Sequence, residues 1–523
     1  MIKFWQKSIG SVTVAALILA SANLLSRLLG VVRDAVFASR LGAGDVMDSY
    51  LAAFRLPDLL FNLLLMGALA AGLIPVFSHY YFNTNGQKKE NENEAFMIIG
   101  GLLNYALVGW TALTVILFIF APQVLKIFTP GFSPEKIQQS VGFTRIMLLS
   151  PLFLTASAIW GGVLQSLKKF VVFAFAPAFY NLGIIFGALY LVKFFGPMGL
   201  AWGVVLGAFL HMIIQLPSVL QAGWRPTISF KLHKGIKEII FLTVPRAMSV
   251  GVSQINVFIM TLLASILASG SLSIFNFANN LQAVPVGLVG VSLATASFPS
   301  FSQAMANNNI AELGNILRRS VAKIMFLVLP ASVLFFVIRE PLVRLVFANN
   351  FFGVGKFNAE AIYWTVSTFQ FFLFAIFAQS LIPLVGRAFF ALKDTKTPFF
   401  VSLFSEAINF GLSFYFSRKM GVPGLALGFS IANIINVLLL WNFLMRKNVV
   451  LRGSIDWIQI SKILVASAVA GFVSYYVISI SSLNYIINLV LAGLAGASCY
   501  VLLGLAINIK EMKNMINWIK RHE

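Results

Sequence analysis

The stretch SRLLGVVRDAVFASRLGAG, residues 26–44, continues an apolar run over residues 8–25 that is long enough to begin a membrane helix. Within it stand three arginines and one aspartate: Arg27, Arg33, Arg40 and Asp34. A charged side chain at the centre of a bilayer costs about 2.5–3.5 kcal/mol on insertion scales, so it normally faces a cavity or a partner. The stretch therefore predicts a membrane helix with one polar, functional face.

The composition of the whole chain is that of a membrane protein. Of its 523 residues, 59% are hydrophobic and 11% are charged, and the mean hydropathy is +0.88. Apolar segments recur along the entire length with short turns between them, which leaves no polar segment large enough for a separate soluble domain. We therefore predict an all-α integral membrane protein.

The apolar segments divide into fourteen predicted membrane helices. The first is preceded by lysines, as in a signal peptide, but it continues past Arg33 without a cleavage site and is predicted to be retained. The predicted spans are residues 8–40, 47–82, 94–120, 137–166, 171–194, 198–221, 235–268, 272–305, 312–338, 358–391, 397–417, 422–445, 457–480 and 484–508.

The net charge of +21 follows the positive-inside rule. Basic residues concentrate in alternate loops, such as those with Lys168 and Lys169 or with Lys393 and Lys396, and in the C-terminal tail. This pattern predicts that both termini lie in the cytoplasm. It also accounts for the high charge without a nucleic-acid partner.

Residues suited to metal binding or enzyme chemistry are sparse. A single cysteine, Cys499, excludes a disulfide framework or a thiolate metal site, and the four histidines are far apart in sequence. No cluster of acids or histidines stands near a membrane face, and the loops are too short for a catalytic domain. We predict no metal site, no catalytic residues, no bound cofactor and no enzyme activity.

An internal repeat organises the chain. Residues 199–203, GLAWG, match residues 424–428, GLALG, at an offset of 225, and PVFS at 75–78 matches PSFS at 299–302 at an offset of 224. A near-constant offset across six helices indicates a duplication with parallel topology, as found in transporters whose halves enclose a substrate site.

The duplication predicts two six-helix lobes followed by two additional helices. The predicted divisions are residues 1–222, residues 223–447, and residues 448–523 with a cytoplasmic tail.

The charged residues of the first two helices are candidates for an anion site. Arg27 and Asp34 are seven residues apart on one helix face, with Arg33 about 120° away. The planar guanidinium suits phosphate oxygens, and Asp34 can orient an arginine; the alternative is a structural Arg–Asp pair. In the second helix, Arg55 either joins this site or simply pairs with Asp58.

Two further polar groups lie in predicted membrane helices. The eighth helix carries Asn276, Asn279 and Asn280 at helical spacing, which predicts a stripe facing protein or water rather than lipid. In the eleventh helix, Glu406 near Asn409 is a candidate site for a proton or a coupling cation. Helix-to-helix hydrogen bonding is the alternative for the asparagine stripe.

These motifs resemble those of the MurJ/MviN lipid II flippases, a family of the multidrug/oligosaccharidyl-lipid/polysaccharide exporter superfamily. The resemblance covers nearly the whole chain. It is carried by residues 26–44 with the following Asp48-to-Pro57 pattern, by VPVGLVGVSLATASFPSFS at 284–302, and above all by GRAFFALKDTKTP at 386–398.

The resemblance implies fourteen helices, with two lobes forming a V around a cationic cavity and the last two helices forming a groove for a polyprenyl tail. The implied substrate is undecaprenyl-pyrophosphoryl disaccharide-pentapeptide, moved from the inner to the outer leaflet for peptidoglycan synthesis by alternating access. The implied location is the bacterial inner membrane, and membrane lipids are the other implied partners. The protein is expected to be a monomer. Transport is expected to be driven by the membrane potential or by a coupling ion, Na⁺ or H⁺.

The resemblance also implies roles for individual residues. Substrate-binding cavity positions, with the arginines toward the pyrophosphate, are Arg27, Arg33, Asp34 and Arg55. Gate or cavity-lining positions are Asp48, Ser273, Asn279 and Asn280.

The chain departs from the family pattern at several charged positions. An arginine and a glutamate of the second helix are replaced by Phe61 and Met66, and acids of the eighth helix by Asn279 and Ala283. We therefore expect a basic first lobe with less acidic counter-charge. Polar, uncharged contacts are expected where the family has a gating ion pair between the lobes.

Two other transport functions stay open on the sequence alone. One is a flippase for another polyprenyl-pyrophosphate-linked oligosaccharide, which would share the fold. The other is a drug–cation antiporter of the same superfamily, which would bind its substrate at acids rather than arginines.

Overall fold

The computed structural model describes residues 12–64, 68–82, 88–348, 355–449, 456–480 and 485–520. Within these ranges the regular structure is helical and contains no strand, so the predicted all-α fold is confirmed. The beginning of the first predicted span and Met66 lie outside the described residues.

The helices of the amino-terminal part are α1 Val12–Leu41, α2 Asp45–Leu64, α3 Ala68–Tyr81, α4 Lys88–Phe128, α5 Pro134–Met147, α6 Ser150–Ser166, α7 Phe170–Phe186, α8 Gly199–Ile213, α9 Leu216–Gln221 and α10 Lys234–Ser265. A π-helical turn, Gly187–Leu191, and the short helix Val192–Phe195 extend α7 toward α8.

The remaining helices are α11 Ser271–Pro285, α12 Ser292–Ala306, α13 Ile310–Val337, α14 Arg339–Phe347, α15 Ala359–Leu373, α16 Ile376–Ala391, α17 Lys396–Met420, α18 Val422–Arg446, α19 Trp457–Ile480, α20 Tyr485–Ala506 and α21 Lys510–Lys520. A π-helical turn, Val286–Val291, joins α11 to α12. The short helices α14 and α21 were not predicted from the sequence.

Most described helices are suited to a bilayer. Over the described ranges, nine helical segments are long and apolar enough to cross a membrane, or ten when the pair α15 and α16, bent by 46°, is taken as one span. One of the nine, Phe170–Gln221, contains two predicted spans. The count of fourteen spans therefore stays a prediction.

The chain forms two compact units. The first contains residues 1–273 and 350–356, and the second contains residues 274–349 and 357–523. In the first unit, α3, α4 and α6 share an apolar core that includes Phe77, Ile99 and Trp160. In the second unit, the hairpin of α19 and α20 packs on α13, where the Tyr500 hydroxyl donates to the Phe326 carbonyl at 2.8 Å.

Glycines allow neighbouring helices to cross closely inside each unit. A Cβ on Gly183 would lie 2.3 Å from Gly207 Cα, and one on Gly187 would lie 2.4 Å from Gly203 Cα. The register of these contacts makes α7 and α8 antiparallel, with the reversal at Gly196 (φ +57°). The repeated small residues therefore serve close helix packing.

Local structure recurs at the repeat spacing. The broken pair of α5 and α6 recurs 225 residues later as α15 and α16. Each pair begins with a side-chain cap: the Ser133 hydroxyl accepts from the Lys136 N–H, and the Asn358 amide oxygen accepts from the Ala361 N–H. Equal caps at equal spacing agree with the duplication that the sequence predicts.

Candidate functional site

Arg33 forms the centre of a polar group inside the first unit. Its Nε and Nη2 donate to Asp34 Oδ1 at 3.0 and 2.9 Å, and its Nη1 donates to Asn181 Oδ1 on α7 at 3.2 Å. Asp34 is only 5% exposed. The structural Arg–Asp pair, which the sequence left as an alternative, is therefore present, and the guanidinium is held in a fixed orientation.

Asn181 is a member of this group that the sequence analysis missed. Its Nδ2 donates to the carbonyl oxygens of Ser26 at 3.3 Å and Pro177 at 3.2 Å. Asn181 thereby links α7 to α1 while its oxygen receives Arg33. The available signal was a lone amide in the apolar segment FAPAFYNLG, residues 175–183.

Arg55 approaches the same group from α2. Its Nε donates to Thr261 Oγ1 on α10 at 3.0 Å. Asp58 lies within electrostatic range of both Arg55 and Arg33. We call Arg33, Arg55, Asp34 and Asp58 the arginine cluster; Arg27 lies two helical turns before Asp34 and is partly buried.

Asp48 and Ser273 meet directly, also within the first unit. Asp48 Oδ1 accepts from the Ser273 hydroxyl at 2.6 Å and from the Ser273 N–H at 2.8 Å. Its Oδ2 accepts from the Gly270 N–H at 2.8 Å and from Lys136 Nζ at 2.9 Å. The structure thus brings the two predicted gate residues together and adds Lys136, which the sequence analysis did not single out.

The asparagines of α11 lie in the second unit. Asn279 Oδ1 accepts from Gln282 Nε2 at 3.0 Å, and the same nitrogen donates to Gln379 Oε1 on α16 at 3.1 Å. The neighbouring Asn280 is partly buried. An amide network therefore occupies the position where the family pattern has acids.

Glu406 belongs to a polar ladder on α17. Its Oε2 accepts from Asn409 Nδ2 at 3.2 Å, and Asn409 Oδ1 accepts from the Ser413 hydroxyl at 3.0 Å. Ser413 also donates to the Leu425 carbonyl on α18 at 3.2 Å. Over the residues that the structure describes, no group of three or more His, Cys, Asp or Glu is placed to hold a metal ion.

The loop motif GRAFFALKDTKTP forms a charged turn between α16 and α17. Asp394 accepts from the N–H of Thr397 at 3.0 Å, from its hydroxyl at 2.6 Å, and from Lys447 Nζ at 2.9 Å. Burial opposes ionisation of Asp394, but these donors more than offset it and hold the pKa at about 2. The motif therefore fastens the beginning of α17 to the end of α18.

Comparison with known proteins identifies similar chains over nearly the full length. A family model described as lipid II flippase MurJ matches residues 37–496. The probable lipid II flippase MurJ of Buchnera aphidicola subsp. Acyrthosiphon pisum is 29% identical over 469 residues, covering 88% of this chain and 89% of that protein. The probable lipid II flippase MurJ of Rhizobium meliloti is 29% identical over 509 residues, covering 93% and 92%.

Solved structures show the same fold. A lipid II flippase MurJ in an inward closed conformation superposes with a TM-score of 0.78 at 23% identity, covering 93% of this chain and 98% of that one. An inward-facing multidrug resistance MATE family transporter of the MOP superfamily superposes with a TM-score of 0.63 at 16% identity, covering 81% and 95%.

Proposed function

This chain belongs to the lipid II flippase MurJ family, and from that membership we propose that it moves lipid II from the inner to the outer leaflet by alternating access. It is a multi-pass protein of the bacterial inner membrane and a transporter rather than an enzyme. Its partners are a lipid-linked substrate and the surrounding membrane lipids.

The arginine cluster carries the proposal for the substrate site. Arg33 and Arg55 come from different helices of the first unit, and both lie within electrostatic range of Asp58, so we propose that their guanidinium groups face the same substrate site. Guanidinium groups bind phosphate oxygens bidentately, which suits a pyrophosphate. Arg27 adds a third positive charge on the same helix as Arg33, so the arginines outnumber Asp34 and Asp58.

The neighbours of the arginines prepare them for this role. Asp34 and Asn181 hold the Arg33 guanidinium in place before substrate arrives, which lowers the entropy that binding must overcome. Thr261 does the same for the Nε of Arg55. We assign pyrophosphate binding to Arg27, Arg33 and Arg55, and orientation of the arginines to Asp34.

The other predicted residues take roles around this site. Asp48 and Ser273 form a gate contact, and Asn279 and Asn280 form an uncharged cavity lining. Glu406 is the candidate site for a coupling proton or cation, and its replacement by glutamine would then remove the ion dependence of transport.

We further propose an orientation, an oligomeric state and a division into lobes for this chain. Both termini are cytoplasmic, the protein acts as a monomer, and the duplicated lobes comprise residues 1–222 and 223–447 with the final pair of helices in 448–523.

Complementation of a host depleted of its own lipid II flippase tests the function. We expect the parent chain to restore growth and Arg33→Ala or Arg55→Ala to fail at equal membrane abundance. Arg344→Ala is the matched control, because Arg344 is exposed and pairs only with Glu340 one turn away among the described contacts. Growth with both cluster variants at the parent's rate would refute the arginine site.

The two rival substrates give different outcomes in the same host. Failure of the parent chain to complement, together with transport of another polyprenyl-pyrophosphate oligosaccharide in vesicles, would reject lipid II. Export of amphiphilic cations that depends on acids and is insensitive to Arg33→Ala would indicate a drug–cation antiporter instead.

A further inference from the structure

Lys136 is a buried lysine to which the proposed transport function gives no role. It lies in the first turn of α5, with its side chain only 9% exposed, and its Nζ lies 4.2 Å from the centre of the Phe132 ring. Nζ donates to Asp45 Oδ1 at 2.7 Å and to Asp48 Oδ2 at 2.9 Å. One ammonium group therefore joins two carboxylates of α2.

The two carboxylates accept hydrogen bonds from the connection between α10 and α11. Asp48 accepts from the N–H groups of Gly270 and Ser273, and Asp45 accepts from the Ser269 hydroxyl at 2.7 Å. The first N–H groups of a helix have no partner inside that helix. Asp48 thus caps the beginning of α11, although it stands on α2.

Removal of the Lys136 charge would act on this cap. The carboxylates of Asp45 and Asp48 would then face each other without the ammonium group that they share, and like charges disfavour one another. The Asp48 side chain is only 2% exposed, so its charge would be buried with hydrogen bonds but without the Lys136 counter-charge. Repulsion from Asp45 would favour a position of Asp48 turned away from α11, which weakens the cap.

We infer that Lys136 is a positioning residue of the transport cycle, which holds the Asp48 carboxylate on the first turn of α11 and thereby sets how readily that turn is released. The inference rests on the proposed alternating access. Helix α11 begins in the first compact unit at Ser271 and continues in the second from Ile274, so its first turn belongs to the stretch of chain that connects the two units. With both termini in the cytoplasm, as we propose, the connections that carry Asp45 and Gly270 lie on the outer side of the membrane, so release of this turn would expose it to the outer solution.

Cysteine labelling measures the release without requiring lipid II. The native cysteine is first removed by Cys499→Ser. Leu272→Cys then serves as the reporter, because Leu272 is 0% exposed and becomes accessible only when the turn is released. A membrane-impermeant maleimide is added to right-side-out vesicles. We expect Lys136→Met to accelerate labelling about tenfold, the scale of a typical coupling between two states, and Lys136→Arg to stay near the parent's rate. Lys126→Met is the matched control, since Lys126 is an exposed lysine at the end of α4.

Two further variants separate positioning from simple loss of folding. A second reporter, Val163→Cys, lies in the apolar core of the first unit, and its labelling should not change with Lys136→Met. Asp48→Asn should accelerate labelling at Leu272→Cys by itself, and Lys136→Met should add little to it, because both substitutions act on one cap.

The result that overturns the inference is equal labelling of Leu272→Cys in the parent and Lys136→Met proteins, or a parallel rise at Val163→Cys. Neither result touches the arginine cluster, which is tested by complementation. Conversely, growth with Arg33→Ala and Arg55→Ala would refute the substrate site while leaving the labelling difference in place.

Discussion

Lys168 and Lys393 lie 225 residues apart and adopt the same left-handed backbone conformation, with φ of +58° and +57°. Each follows the second helix of a broken pair, α6 or α16, and precedes the next helix by two or three residues. A left-handed conformation costs a residue with a Cβ about 1–2 kcal/mol. Its presence at both positions indicates that the turn was inherited with the duplication and is imposed by the short connection.

The first prediction concerns this turn. Lys393→Val should lower the apparent Tm of the purified protein, because a β-branched side chain fits a positive φ poorly and costs about 1–2 kcal/mol. Lys393→Asn should leave the Tm near the parent value, since asparagine tolerates this conformation. Lys168→Val and Lys168→Asn should follow the same order. Equal thermal stability of the valine and asparagine variants at either position would contradict the argument.

Glycine packing gives a second prediction. Gly183→Ala should destabilise the crossing of α7 and α8, because the new Cβ would lie 2.3 Å from Gly207 Cα and the backbone must shift. Overpacking of this kind costs about 1–3 kcal/mol. Gly411→Ala on α17 is the control: a Cβ there meets nothing within 4 Å, and alanine favours the helix by about 0.5–1 kcal/mol. In thermal unfolding in detergent, Gly183→Ala should lower the apparent Tm and Gly411→Ala should raise it.

The helices could be predicted from the sequence because their apolar runs are long and end at charged or glycine-containing turns. The predicted span 457–480 matches α19, Trp457–Ile480, and the predicted span 422–445 matches α18 within one residue. The helix α21, Lys510–Lys520, was missed because it is short and amphipathic, and so lacks the continuous apolar run of a span.

The partners of the charged residues were harder to predict. Helical spacing placed Asp34 on the face of Arg27, but the long side chain of the adjacent Arg33 reaches Asp34 in the structure. On the second helix of the chain, Asp48 contacts Ser273 and Lys136, and Arg55 contacts Thr261. These contacts join residues distant in sequence, and a helical period within one segment carries no information about them.

Asn181 provides a third prediction, directed at the substrate site. Asn181→Asp should place a second carboxylate beside the Arg33 guanidinium, where the amide oxygen now accepts at 3.2 Å. The additional negative charge should repel an anionic pyrophosphate and lower the affinity of purified protein for radiolabelled lipid II by about tenfold. Arg33 compensates the new charge, and the apparent Tm of the variant measures the separate cost of losing the Nδ2 donor to the carbonyls of Ser26 and Pro177. Asn433→Asp on α18 is the matched amide-to-acid control. An unchanged affinity with Asn181→Asp would place the pyrophosphate away from Arg33.

The fourth prediction concerns the pH dependence of stability at Asp394. Its pKa is lowered from 3.8 to about 2 in the folded protein, so the folded state favours the ionised form. The stabilisation is complete above the unfolded pKa and is lost as the pH falls from about 4 toward 2. Asp394→Asn should therefore lower the apparent Tm by a constant amount between about pH 5 and 8, and this difference should shrink in acid.

Lys447→Met separates the two sources of the Asp394 effect. It removes the ammonium group 2.9 Å from the Asp394 carboxylate but leaves the N–H and hydroxyl of Thr397 as donors. The loss of Tm at neutral pH should consequently be smaller than with Asp394→Asn, because most hydrogen bonds to the carboxylate persist. It should also disappear in acid, where Asp394 is protonated in both proteins. A Tm difference between parent and Asp394→Asn that is the same at pH 7 and in strong acid would show that charge on Asp394 does not hold α17 to α18.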